Sequence, residues 1–363
     1  MNIIFIENLQ LFKKLTKIKT IGGIETNTND IIQIFRQKGH NVWILNKEKE
    51  PNWAKDGDVN IIAASTFDPI TYYQIIKYKK KYSKKAAVVI HAHTTVEDLA
   101  GNFVPDTPIF NTIFKYWLKI LYGSAHLLIT PSEFSKQCLI NIQTSMTYPI
   151  NVVSNGIWIE KFNKNEDYRI NFRNYLFQKY NIPRDRKVII NVGLTWKKKG
   201  VKTFGYIAKR LPEYFFVWVG PISNNPDIND VSQLPNVFFT GFYDDIREVY
   251  YGADLFLNTS FVENQCIPLI ESAICRVPIV ARDLPVFDWL VHDYSCFKSK
   301  NVDEFIRGII KILTDSSYKE KLIEHAYSDA IKLHDFKNIL IKIEGLYNKA
   351  IKIKKIWDLK RKN

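Results

Sequence analysis

Leu255-Phe256-Leu257-Asn258 and, after four intervening residues, Glu263-Asn264-Gln265-Cys266-Ile267-Pro268-Leu269-Ile270-Glu271 read as a buried strand, a loop and the opening of a helix. An unbroken apolar run of strand length belongs in a parallel sheet covered on both faces. Proline is favoured at the first helical position, so Pro268 predicts a helix start with Glu271 inside its first turn. A single acid there is ordinarily a surface residue complementing the helix dipole, worth about 0.3–1 kcal/mol. Two acids bracketing one short loop at a strand end form a sharper pattern. In doubly wound sheets the ligand crevice lies at the carboxyl ends of the strands, and this loop places Glu263 and Glu271 there.

The same alternation of apolar runs and helical patterns extends outward in both directions. Strands are predicted at 2–6, 42–45, 59–63, 86–90, 127–130 and 150–153, and a second cycle at 187–193, 215–219, 237–240, 255–258 and 278–281. Strands separated by crossover helices indicate the α/β class with parallel sheets. A chain of 363 residues exceeds what one hydrophobic core usually serves. Two Rossmann-like units are therefore expected, 1–155 and 156–335, divided at the turn dipeptide Asn155-Gly156, with a basic amphipathic helix over 336–363.

Three further loops at strand ends carry chemistry. Gly22-Gly23 enters a helix, where backbone amides without Cβ obstruction approach a phosphate; tight turns also need glycine for steric reasons alone. His91-Ala92-His93-Thr94-Thr95 puts imidazoles and hydroxyls at an edge suited to sugar hydroxyls, although one of the two histidines fits a purely structural role. Gly193-Leu194-Thr195-Trp196-Lys197-Lys198-Lys199-Gly200 gathers cations and helix amides that suit a diphosphate; a solvated basic turn is the alternative, and the placement after the unit's first strand favours the former.

Cys138, Cys266, Cys275 and Cys296 are scattered and match neither a zinc pattern nor a disulfide framework, so reduced thiols and no metal site are expected. Asp56-Gly57-Asp58 mimics a metal-binding acidic pair but precedes a strand instead of ending one. The longest apolar runs are strand-sized, and Met1 to Glu7 lacks a basic leader, which predicts a cytoplasmic chain that does not span a membrane. The formal charge of +14 reflects in part Lys-, Ile- and Asn-heavy usage. Yet Lys77, Lys79, Lys80, Lys81, Lys84 and Lys85 cluster, as do Lys349 to Lys362, and clusters suit an anionic surface. Nucleic acid is the competing partner for a basic chain that is 14% aromatic, but no recognisable binding motif is present and Glu263 and Glu271 would go unexplained.

Gly22-Gly23 with Glu25, His93, Thr130-Pro131-Ser132, Ser154 to Ile157, Gly193 to Gly200, Phe239 to Gly241, Ala253-Asp254 and the spaced pair Glu263 and Glu271 occur in an order that resembles the glycogen-synthase-like glycosyltransferases of family 4. The resemblance spans nearly the whole chain. It implies the GT-B architecture, two Rossmann-like domains facing across a cleft, and a retaining transfer from a nucleotide sugar with no further cofactor. It also implies catalytic roles for His93, near the sugar's 6-position, for Glu263, on the donor sugar, and for Lys199, on the leaving diphosphate. The nucleotide sugar would lie against Gly22, Gly23, Lys198, Lys199, Asn264, Gln265, Cys266, Ile267 and Glu271, the last on the ribose hydroxyls. Leu194 stands where the family has arginine, and Asn264 and Cys266 stand where it has glycines.

Gly193-Leu194 before Lys199-Gly200, together with the histidine-threonine run ending in Glu97-Asp98, looks like the membrane-associated diacylglycerol glycosyltransferases of Gram-positive bacteria, which use UDP-glucose or UDP-galactose. A lipid or glycolipid acceptor is then expected, with polysaccharide or lipopolysaccharide assembly as the alternative. Phe110, Ile113, Phe114, Trp117, Leu118, Ile120 and Leu121 form a broad apolar face with Lys115 and Lys119 interrupting it. Such a helix fits a membrane interface or a packed core equally. The neighbouring lysine cluster favours the membrane, and predicts a peripheral protein on the inner face of an anionic bilayer. Glu263→Ala and Lys199→Ala are expected to leave the thermal melt near wild type, both residues being outside the core.

Overall fold

A computed structural model describes residues 1–8, 23–82, 85–100, 106–143 and 148–360, the side chains of 23–26 excepted. The chain divides into two compact units, Met1–Gly156 with Phe336–Asn363, and Ile157–Asp335.

The first unit is built on six parallel strands, β1 (Asn2–Ile6), β2 (Asn41–Ile44), β3 (Ile61–Ala64), β4 (Ala87–His91), β5 (Leu127–Thr130) and β6 (Ile150–Val152), in the order β2-β1-β3-β4-β5-β6. Ile3, Ile4, Phe5 and Ile6 are all buried, as strands covered by helices on both faces must be. Ile4, Ile62 and Val88 share one core with Leu118 and Leu121 of the Pro108–Gly123 helix. The Phe336–Lys360 helix also belongs to this unit. Its Tyr347 hydroxyl lies 2.8 Å from His91 Nε2, its Glu344 pairs with Lys38 and His40, and its Trp357 ring sits 5.1 Å from His126. Gly156 precedes that helix closely in space: a Cβ there would meet the Phe336 ring at 2.8 Å.

The second unit repeats the plan with β7 (Val188–Val192), β8 (Phe215–Val219), β9 (Val237–Gly241), β10 (Leu255–Asn258), β11 (Ile279–Arg282) and β12 (Phe297–Ser299), in the order β12-β11-β10-β7-β8-β9. All pairings are parallel. The chain builds outward from β7 through β8 to β9, then resumes at β10 on the other side of β7. The loops after β7 and β10 therefore flank the switch point, where parallel sheets open their crevice. β12 is an addition to the predicted strands. It is three residues long with a lysine at its centre, too short for a periodicity to register.

Among the described residues, no helix is long and apolar enough to cross a membrane. The Pro108–Gly123 helix nevertheless turns a row of large apolar side chains outward. Ile109 is 72% exposed, Ile113 61% and Ile120 53%, with Phe110 and Tyr116 beside them. The apolar face read from the sequence thus splits: Leu118 and Leu121 are core, Phe114 and Trp117 half-buried, and Phe110, Ile113 and Ile120 face out.

Candidate active site

The loops after β7 and β10 are zipped together by hydrogen bonds onto backbone carbonyls. Phe261 N donates to Lys198 O at 2.7 Å, and Thr259 Oγ1 donates to Lys199 O at 2.9 Å. Between them Gly200 adopts φ +78°, and a Cβ there would come within 2.2 Å of Thr259 O. Only glycine allows this approach. Lys197–Lys199 form one 3-10 turn that Gly200 closes, and the Val201–Arg210 helix follows directly.

This zipping sets Lys199 Nζ 2.6 Å from Glu263 Oε1, which also accepts from Ser260 Oγ at 2.7 Å. Glu263 is buried and Lys199 mostly so, their side chains retaining 8% and 20% exposure. The expectation that both stand outside packed structure is corrected here: removing the lysine strands a buried carboxylate. Lys198 is half-buried one residue earlier in the turn.

Arg282, at the end of β11, was not among the expected site residues. Its Nε donates to Ser260 O at 2.9 Å and its Nη2 to Thr259 O at 3.2 Å, and its guanidinium lies 4.1 Å from the exposed Phe261 ring. It braces the loop that carries Glu263 from the neighbouring strand. Its place at a strand end in this sheet is a signal that only the β10–β11 pairing makes meaningful.

Beyond Glu263 the loop continues through half-buried Asn264 and buried Gln265 to Cys266. Cys266 is buried with φ +66°, the left-handed conformation glycine adopts freely, and its Sγ accepts from Asn258 Nδ2 at 3.3 Å. Burial pushes its thiol well above the usual range, so it is a neutral group. The helix Ile267–Ile274 starts at half-buried Ile267, with Pro268 second, so Glu271 sits in the second turn and not the first. The left-handed Cys266 releases the chain into the helix one residue earlier than proline alone indicates. Glu271 Oε2 accepts from the buried Tyr250 hydroxyl at 2.6 Å. Burial pushes the Glu271 carboxyl up to about 7, with the Tyr250 hydrogen bond opposing the rise.

The remaining expected site residues belong to the first unit. Gly22 lies outside the described residues, and Gly23 is the first residue of the Gly23–Gln37 helix. His91 ends β4, and His93 follows with its ring stacked at 6.1 Å on that of His91. Both are buried, which lowers His91 to about 3 and His93 to about 4, so both are neutral near pH 7. A neutral imidazole offers one donor and one acceptor, as hydroxyl recognition needs.

The lysine cluster is partly neutralised. Lys81 pairs with Glu50 at 2.5 Å, Lys85 with Asp58 at 3.5 Å, and Lys79 Nζ donates to Ser124 O at 2.7 Å. Lys84 and residues 361–363 lie outside the described residues, while Lys77 and Lys80 are exposed. They sit on the Pro69–Lys81 helix, which adjoins the Pro108–Gly123 helix through the Tyr72 and Trp117 rings, 5.7 Å apart. Ile70, Tyr73 and Ile76 of that helix are exposed as well. Among the described residues no cluster of three or more metal-ligating side chains occurs.

Residues 172–329, which include both zipped loops, match the family model described as glycosyl transferases group 1. The chain is 29% identical over 305 residues to the processive diacylglycerol alpha-glucosyltransferase of Acholeplasma laidlawii, covering 80% of this chain and 89% of that protein. It is 28% identical over 159 residues to the alpha-galactosylglucosyldiacylglycerol synthase of Streptococcus pneumoniae, covering 39% and 42% of the two chains. The crystal structure of Anabaena HepE in complex with UDP and glucose superposes with a TM-score of 0.74 at 16% identity, covering 96% of this chain and all of that one. The shared fold is that of the GT-B glycosyltransferases.

Proposed function

From the premise that this chain is a glycosyltransferase with a group 1 domain, we propose that it moves a hexose from UDP-glucose or UDP-galactose, with retention of configuration, onto a membrane lipid or glycolipid. The observation that carries this reading is the Lys199–Glu263 pair, set at a switch point by two loops that only Gly200 allows to touch. There Lys199 and the amides opening the Val201–Arg210 helix meet the leaving diphosphate. Glu263 and the Asn264 to Ile267 loop hold the donor sugar, Glu271 its nucleotide's ribose, and the neutral His93 the sugar's 6-position. The anomeric C–O bond to the diphosphate breaks as the acceptor oxygen bonds to the same face. The departing phosphate oxygen takes the acceptor's proton. In this reading the units serve as acceptor side, the first, and donor side, the second.

The lipid acceptor is supported by the named activities of the two diacylglycerol-glycosylating relatives. A docking face for the bilayer is supported by the exposed Ile109, Phe110, Ile113, Tyr116 and Ile120, by Ile70, Tyr73 and Ile76 exposed on the adjoining helix, and by the exposed Lys77, Lys80 and Lys115. Each such lysine contributes about 1 kcal/mol beside an anionic surface, so three hold the protein reversibly without a spanning helix. The placement proposed is peripheral, on the inner face of the cell membrane.

Purified protein incubated with labelled UDP-glucose or UDP-galactose and mixed vesicles of diacylglycerol and anionic phospholipid should yield a labelled lipid. Labelling of a polyprenol-linked saccharide instead, with diacylglycerol inert, would move the acceptor to polysaccharide assembly. Absence of transfer with either donor to either acceptor would overturn the donor assignment.

A further inference from the structure

Tyr250 lies on the Ile246–Gly252 helix with no exposed surface, and its hydroxyl is its one polar side-chain group. A buried hydroxyl costs free energy unless hydrogen-bonded, and here the acceptor is Glu271 Oε2 at 2.6 Å, the length of a charge-assisted O–H···O⁻ bond. The helix that carries Tyr250 is fixed in turn. A Cβ on Gly252 would meet the Phe172 ring at 2.5 Å, and Asp245 caps the helix by accepting from Arg247 N at 3.0 Å. The Tyr250 ring packs 6.2 Å from Phe256 of β10, the strand leading into the Glu263 loop. Tyr250 thus has little freedom to turn, and it holds one oxygen of a carboxylate that is only partly buried.

We propose that Tyr250 is a positioning residue of the nucleotide site, its hydroxyl fixing the Glu271 carboxylate so that the two ribose hydroxyls of the donor are received as a pair. This rests on the donor-site reading above and adds to it a residue outside the loop pattern.

The groups facing Glu271 are Tyr250 from its neighbouring helix, Cys266 before its own helix and Cys275 at that helix's end. Burial pushes both thiols well up, so they stay neutral, and among the described residues no cation pairs with Glu271. The carboxylate therefore depends on Tyr250 to stay ionised. With the Glu271 carboxyl pushed up to about 7, nucleotide affinity should increase as pH rises through neutrality. Losing the phenol hydroxyl removes the interaction that opposes burial, so the midpoint of that increase should move to higher pH.

The test titrates UDP and 2′,3′-dideoxy-UDP into the full chain and its Tyr250→Phe form by calorimetry, from mildly acid to mildly alkaline pH. Tyr250→Phe should weaken UDP about tenfold at neutral pH, as loss of a hydrogen bond to a charged group does. The deficit should shrink as pH rises, and the dideoxy nucleotide should bind both forms alike. Glu271→Gln should abolish the pH dependence with or without Tyr250. Equal weakening of both nucleotides at every pH would make Tyr250 merely structural, and unchanged UDP binding would remove it from the site; either result overturns the inference while the donor reading stands. A wild-type chain that binds neither nucleotide overturns both.

Discussion

Lys199→Ala takes away one partner of an ion pair whose carboxylate keeps only 8% side-chain exposure. Removing one member of a fully buried pair costs about 3–5 kcal/mol, most of it the desolvation of the charge left behind. Lys199 retains 20% exposure and Ser260 still donates to Glu263 at 2.7 Å, so the cost here should be smaller, about 1–3 kcal/mol. For a unit of this size each kcal/mol lowers the melting temperature by about 2–4 °C, giving a drop of about 2–12 °C. Differential scanning calorimetry should show that drop for Lys199→Ala, a smaller one for Glu263→Gln, and partial recovery in the double variant, which leaves no uncompensated charge. All three should lose transfer activity. A Lys199→Ala protein that melts with wild type, or a double variant whose loss equals the sum of the singles, would refute the idea that the pair is a coupled buried unit.

Gly200→Ala should abolish transfer and lower the melt, because the new methyl would enter space within 2.2 Å of Thr259 O at φ +78°; crystallographic or activity evidence of an unshifted loop would contradict this. Ile109→Ser combined with Ile113→Ser should reduce co-sedimentation with anionic vesicles at least tenfold and leave the melt unchanged, since exposed side chains contribute little to folding while each buried isoleucine is worth about 1.5–3 kcal/mol. Equal sedimentation would remove the helix from the membrane face. Thermal stability should decline as pH falls from 6.5 toward about 4. His91 and His93 are depressed from 6.5 to about 3 and about 4, so in that window the unfolded chain binds protons that the folded one does not. His93→Gln should flatten that decline, as followed by melting temperature against pH.

Strand cores were readable because parallel strands buried on both faces are unbroken apolar runs. Asn2–Ile6, Leu127–Thr130, Phe215–Val219 and Leu255–Asn258 lie where the runs lie, and the others differ by one or two residues at their ends. β12 escaped because three residues with a central lysine have no period. Glu271 was misplaced by one turn's reading because proline also sits comfortably at the second helical position, and the left-handed Cys266 decided where the helix began. The face of the Pro108–Gly123 helix was divisible only in three dimensions. Large apolar residues cover a sector wider than the buried one, so the sequence alone does not say which part of that face turns inward.

Local residue order is enough to specify a glycine before a helix, a cation at a strand end or an acid beyond a loop, because each depends on the few residues around it. On that basis the α/β class, the repeated strand–helix plan and the loop from Glu263 to Glu271 were legible. Which side chains meet depends instead on strand order, since β7 pairs with β10 although two strands separate them along the chain. That adjacency brings Lys199 to Glu263, the β10–β11 pairing sets Arg282 behind their loop, and the helices before and after β10 lay Tyr250 against Glu271. Hydrogen bonds and desolvation act over a few ångströms of space, and the tertiary fold decides which residues lie within that reach.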